Sequence, residues 1–181
     1  MGDVDGQDAT AEMVAAARAG DGSALDRLFR RFAPVVHGVL LGYVQRADAD
    51  DLTQDVFETA LARLRELRED AAFPGWIVSI ARRAALDAKR RRTPFADGGA
   101  DALAEPGSVE ERLDADRALR AIRALPEAYR DTLMLRLVEG LTGPEIAART
   151  GLTPGSVRVN LHRGMALLRD ALAAGARGAE R

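Results

Sequence analysis

Apolar residues recur at steps of three and four along most of the chain, and no alternating pattern persists, so the sequence predicts an all-α protein. Residues 1–9 are polar and acidic and read as a disordered leader. Residues 11–19 form a short alanine-rich helix closed by Gly20, Asp21 and Gly22. Ser23 is placed to cap the next helix, whose stripe is Leu25, Leu28, Phe29 and Phe32. Pro34 predicts a kink or a fresh turn, after which Val35, Val36, Val39, Leu40 and Val44 carry the apolar surface to about Gln45. Asp48 is the expected N-cap of a third helix, with Leu52, Val56, Leu64 and Leu67 on its buried face and Phe57 and Leu61 beside it. Residues 71–75, containing Phe73 and Pro74, are expected as a loop. Trp76, Ile77, Ile80, Ala81 and Ala84 then start a fourth helix that runs into Lys89, Arg90, Arg91 and Arg92. Trp76 and His37 both sit among apolar neighbours and are read as structural.

Residues 93–111 hold Pro94, Gly98, Gly99, Pro106 and Gly107 and read as a flexible linker between two small helical domains. Residues 112–124 make a short helix, and the pattern is richest over 125–172. Pro126 opens a helix striped by Leu133, Leu137 and Val138, and Gly140 ends it. Thr142, Pro144 and Glu145 fit a capping box, with the proline in the first turn. Ile146 and Ala147 begin a short helix, and Gly151 occupies the turn after it, where a positive φ costs glycine little. Thr153 caps a last helix that Pro154 starts, with Val157, Leu161, Leu168 and Leu172 on one face. A short helix, a tight glycine turn and a longer basic helix make a helix-turn-helix. In that motif the N-terminal residues of the second helix meet base edges in the major groove. Here they are Ser156, Arg158, Val159, Asn160 and His162, with Arg163 beside them. The same spacing also fits a plain helical hairpin with solvated arginines.

Charge distribution changes the picture more than its total. The net charge of −2 argues against a protein that simply coats DNA. Residues 82–92 hold six basic residues and one acid, residues 48–70 eight acids against three arginines, and the linker five acids and no basic residue. Such a chain can offer one face to nucleic acid and another to a basic protein surface. Asp51, Asp55 and Glu58 fall one turn apart as an acidic ridge. A metal-hydrolase site on Asp50, Asp51 and Asp55 would need ligands from elsewhere, because carboxylates on one helix seldom close a coordination shell. With no nucleophile–base pair and no phosphate-cradling glycine loop, no enzyme activity, cofactor, metal or small-molecule substrate is expected. The chain has no cysteine, which excludes disulfides and fits a reducing compartment. It shows no signal peptide and no apolar run near the ~20 residues that span a bilayer, so the cytoplasm is the expected location.

The wording of the motifs narrows this further. L-P-E-x-x-R from Leu125, E-G-L-T-x-x-E-I-A from Glu139 and G-S-V-R-x-x-L-H-R-x-x-x-x-L-R from Gly155 resemble the promoter −35-binding domain of bacterial extracytoplasmic-function (ECF) sigma factors. D-A-D-D-L-T-Q-D-V-F at 48–57 resembles that family's D-A-E-D-L-x-Q-E-x-F. F-P-G-W-I-V-S-I-A-R-R at 73–83 resembles F-x-x-W-L-x-x-I-A-R-N, and Asp87, Arg90 and Arg91 match its D-x-x-R-R ending. The resemblance implies a sigma factor that binds core RNA polymerase, directs it to promoters and helps melt them. It implies that Asp51, Gln54 and Asp55 bind the β′ clamp helices, with the β subunit as a further contact. It also implies that Phe73 meets a flipped base of the −10 element while Arg82, Arg83, Lys89, Arg90 and Arg91 grip DNA there.

The linker would then thread near the polymerase active site. An anti-sigma protein, often membrane-bound in this family, is the implied regulator. The expected domains are 10–92 and 112–175, with a tail at 176–181. Two departures stand out. Arg83 replaces the family's asparagine, which predicts an unusual −10 preference. Val159 and Asn160 replace Ser-Arg, and Gly164 and Met165 replace Ala-Arg, which predicts a weaker or differently specific −35 contact. The main alternative is a stand-alone helix-turn-helix repressor, which would leave the N-terminal motifs idle.

Overall fold

The computed structural model describes residues 3–91 and 109–179, with side chains over 9–91 and 114–175. Among these residues there are eight α-helices and no strand. The helices are α1 (Asp3–Arg18), α2 (Gly22–Leu41), α3 (Arg46–Ala62), α4 (Phe73–Arg91), α5 (Val109–Arg123), α6 (Glu127–Leu137), α7 (Gly143–Thr150) and α8 (Pro154–Ala179). Most of the expected linker, 92–108, lies outside the described residues.

The hub is α2. It buries Leu28, Phe32, Val35, Val36 and Val39 completely or nearly so, and α1, α3 and α4 pack around it. Pro34 neither kinks nor restarts it, and the helix runs unbroken to Leu41. Its cap is Asp21, not Ser23: the carboxylate accepts from the backbone N–H of Ser23 and Ala24 at 2.8 and 3.3 Å. Hydrogen bonds from the Ser23 hydroxyl and amide hold Asp21 below the ordinary carboxylate range.

Other boundaries also move. The expected leader is helical from Asp3 onward, where acidic residues suit the positive end of a helix. The third helix starts at Arg46 after Gln45, so Asp48 sits in its first turn rather than capping it. Packing of Ala49, Thr53 and Val56 sets that start. The same helix stops at Ala62, and Leu64 and Leu67 reach the core from a 3-10 turn instead. Arg18 fastens this turn by donating to Leu67 O at 2.9 Å and pairing with Asp70 at 2.6 Å. The expected loop at 71–75 is a helix start, because Pro74 falls in the first turn, where its missing N–H costs nothing. Val109 begins α5 inside the expected linker, and α8 continues into the expected tail as far as Ala179.

Toward the C-terminus, α6 packs on α8 and α7 packs on both. The capping box forms as expected, with Thr142 N–H donating to Glu145 at 2.9 Å and Glu145 N–H donating to the Thr142 hydroxyl at 3.4 Å. Gly151 takes φ +76° at the turn. Five successive residues of α6, Asp131 to Leu135, are buried, while Leu137 of the expected stripe is 49% exposed. An amphipathic surface helix does not bury five in a row; a helix covered on two sides does. The second cover is α2, and α7 likewise lies on α4 and α1. The two halves therefore share one continuous core in this structure.

Candidate polymerase and promoter interfaces

On α3, one face is consumed by Ala49, Thr53, Val56, Phe57 and Ala60, and the helical period leaves Asp51, Gln54, Asp55 and Glu58 on the open side. Thr53 turns its hydroxyl back to Ala49 O at 2.7 Å, so its polar atom is satisfied within the helix. Beside the ridge lies a shallow depression lined by Phe29, Ala33, Pro34, His37, Asp50 and Gln54. Phe29, read from the sequence as stripe, is 43% exposed and leans on Phe57 with ring centres 4.7 Å apart. No local signal separated it from Leu28, its fully buried neighbour. His37 is half-buried, with Nε2 3.1 Å from Asp50 and Nδ1 2.9 Å from Glu139, just past the end of α6. It is structural, as expected, but it joins the two halves of the molecule.

On α4, the basic residues separate by environment. Arg83, Lys89, Arg90 and Arg91 are exposed, with Arg90 paired to Asp87 one turn away. Arg82 is drawn into the second half: its Nε donates to Asp131 Oδ2 at 2.6 Å and lies 3.4 Å from Glu127. Burial pushes the Asp131 carboxyl up to about 6, against the pull of Arg82. Phe73 corrects the expectation of an exposed loop aromatic. It is 1% exposed and packs edge-on against Phe32, with Trp76 on its other side. A ring held there cannot meet a base. Trp76 is half-buried on the same cluster, as its apolar neighbours predicted.

On α8, Thr153 caps the helix by accepting from Ser156 N–H at 3.1 Å, and its hydroxyl also meets that of Ser156 at 2.9 Å. Val157, Leu161, Gly164 and Leu168 face inward. Ser156, Arg158, Val159, His162 and Arg163 are left on the solvent side of its first turns. Asn160 is not with them. It is half-buried and donates to the Thr132 hydroxyl of α6 at 3.4 Å. A Cβ on Gly164 would stand 3.1 Å from Leu133 Cδ1, so glycine lets α8 lie close against α6. Two departures from the family wording are thus packing features of the α6–α8 contact. Among the described residues no group of three or more His, Asp or Glu side chains is disposed to hold a metal, and no helix is long and apolar enough to cross a membrane.

Residues 28–94 match the family model for sigma-70 region 2, and residues 115–168 match that for sigma-70 region 4. CarQ of Myxococcus xanthus, an RNA polymerase sigma factor, is 35% identical over 162 residues, covering 86% of this chain and 92% of its own length. The chain belongs to the ECF sigma factors of the sigma-70 family. SigD of Mycobacterium tuberculosis is 32% identical over 90% of this chain and 83% of its own, and the ECF sigma-E factor of Escherichia coli is 32% identical over 80% and 84%. A solved structure of CnrH in complex with the cytosolic domain of CnrY shares the fold, with a TM-score of 0.62 at 24% identity over 92% of this chain and 98% of that one. This sigma factor directs RNA polymerase to promoters, and its family consists of transcription initiation factors rather than catalysts. The site residues that sequence alone placed correctly on open surface are the acidic ridge, four α4 cations and five side chains of α8. Those it could not place are taken up by packing partners: Phe73 by Phe32 and Trp76 within its own half, Asn160 by Thr132 of α6, and Arg82 by Asp131 and Glu127 of the other half.

Proposed function

We propose that three surfaces divide the work of this sigma factor. Asp51, Gln54 and Asp55 on α3 dock on the basic clamp helices of the polymerase β′ subunit. Arg83, Lys89, Arg90 and Arg91 on α4 grip the DNA backbone at the −10 element, where unstacking a base costs a few kcal/mol that phosphate contacts help to supply. Ser156, Arg158, Val159, His162 and Arg163 on α8 meet the −35 duplex in its major groove. The domains are taken as 10–92 and 112–175. The carrying observation is that α3 and α8 each bury one face and leave the motif residues on the other. Family membership further implies the cytoplasm as the place of action and an anti-sigma protein as regulator.

Run-off transcription with core RNA polymerase from the source organism tests this reading. Discrete transcripts that depend on the protein are expected, and an Asp51/Gln54/Asp55 triple alanine variant is expected to abolish them while leaving duplex DNA binding intact. Duplex binding without affinity for core polymerase would instead make the chain a stand-alone repressor.

A further inference from the structure

Leu86 of α4 is 42% exposed, and the packing of the helix gives no reason for an apolar residue there. The helix buries Ile77, Val78, Ile80, Ala81 and Ala85. On the opposite side Ser79, Arg83, Leu86 and Arg90, at steps of four, three and four, make one exposed stripe. Exposed Lys89 and half-buried Arg82 flank it. An amphipathic helix carries polar residues along the middle of such a face, and three of the four positions comply. Leu86 does not.

Its neighbours on the stripe show what passes over it. Ser79 turns its hydroxyl back to Trp76 O at 2.6 Å, so its donor is spent inside the helix. Arg90 pairs with Asp87, and among the described residues no acid takes Arg83. Arg83 and Arg90 are seven residues apart, about 10 Å along the axis, or about three steps of a stacked strand at 3.4 Å each. A strand held by its phosphates at both arginines is drawn across Leu86. Charge accounts for that grip but not for the leucine, which has no attraction for phosphate. What it can touch is the flat face of a base that has left the stack. Leucine is among the apolar side chains that enter between base steps and unstack them.

We propose that Leu86 is a wedge. While Arg83, Lys89 and Arg90 hold the backbone, its side chain packs on a base plane at the −10 element and keeps the neighbouring step from restacking. The ligand of this position is an unpaired promoter base, taken by its apolar face and not by its hydrogen-bonding edge. The inference rests on the −10 reading above and adds to it a contact that selects open over paired DNA. A stacked base offers no free face, so the contact favours only the melted state and shifts the equilibrium by that difference.

The test is run-off transcription with core polymerase and the full chain on one promoter in two forms, fully paired and mismatched across the −10 bases. Leu86→Ala is expected to lower transcription from the paired form about tenfold and from the mismatched form less than about threefold, since the second template arrives open. Leu86→Met keeps an apolar side chain of similar volume and should stay within about twofold of wild type on both. Leu86→Lys separates wedge from charge. A further cation should raise transcription from the paired form if the face works by charge alone, and should lower it as much as alanine does if position 86 packs on a base. Core affinity and the urea midpoint should hold in all three variants, because the residue is exposed and lies away from the α3 ridge. Equal losses on the two templates, a gain with lysine, or wild-type transcription by Leu86→Ala would overturn the wedge and leave the −10 assignment standing. A loss that follows core affinity would overturn it too, by placing Leu86 against the polymerase. A wild-type chain silent on both templates would overturn the promoter reading and the wedge together.

Discussion

The two helices assigned to promoter DNA are presented in opposite ways. On α8 the first turns show Ser156, Arg158, Val159, His162 and Arg163 to solvent, and the helix is fixed from behind by Val157 and Leu168. On α4 the aromatic at the start is core, and Arg82 is bound to carboxylates of the other half. Both helices are amphipathic and both carry arginines at suitable steps. What separates them is a second packing partner: α4 touches α7 along one flank, whereas Ser156, Arg158, Val159, His162 and Arg163 of α8 stay exposed. An exposed arginine is ready for phosphate. A half-buried one must first give up an ion pair.

Removing the buried aromatic is the largest change that bears on this contrast. Phe73→Ala should destabilise the protein by about 3–5 kcal/mol through lost burial and a cavity against Phe32, read as a fall in the urea midpoint. A loss of DNA binding with unchanged stability would put Phe73 back at the DNA and erase the contrast.

The next effect concerns the anchor of Arg82. The folded-state value of Asp131 is raised from the usual 3.8 to about 6. A raised carboxyl binds its proton more readily in the folded state. The resulting stabilisation is complete below about 3.8 and is lost as pH rises through about 6. Relative to Asp131→Asn, wild type should therefore gain roughly 2–3 kcal/mol between pH 7 and pH 4. Parallel stability–pH curves for the two proteins would refute the burial of that charge.

Arg158→Ala should weaken −35 duplex binding by about 1–3 kcal/mol with a shallower salt dependence, while Arg82→Ala should leave duplex binding by the free chain unchanged. Equal losses in a binding titration would show that the two arginines are equally presented. The smallest effect sharpens the α8 side. Thr142→Ala breaks the capping box of α7 and should cost about 1 kcal/mol in thermal or urea unfolding, since the bond from Glu145 N–H and the hydroxyl's own bond to the Glu145 carboxylate are lost and only the backbone Thr142 N–H bond remains. Its effect on Arg82 should be nil.

Much of the candidate site was legible because it depends on short-range chemistry. The Thr142–Glu145 box, the Gly151 turn and the Thr153 cap are each complete within four residues, and all three form. The acidic ridge of α3 follows from one helical period. The errors share a different cause. Pro74 after Phe73 suggested a loop, but the first turn of a helix accepts proline as readily. Asn160 looked like a recognition residue on spacing, yet Thr132 of α6 claims it. Leu137 matched the stripe of α6 and is exposed, whereas Asp131 broke the pattern and is buried.

The sequence by itself determined the all-α class, the helix-turn-helix, the order of the two motif sets and hence membership in the sigma-factor family. Those features live in local propensity, capping and wording, which neighbours in space do not alter. Only the tertiary structure decided that the halves are closed on each other, that Arg82 is held by Asp131, that Phe73 is core and that His37 joins α2 to Glu139 beyond the end of α6. Each of these joins residues far apart in the chain, and glycines such as Gly38 and Gly42 declare their purpose only when a second helix lies in the space their missing side chains leave.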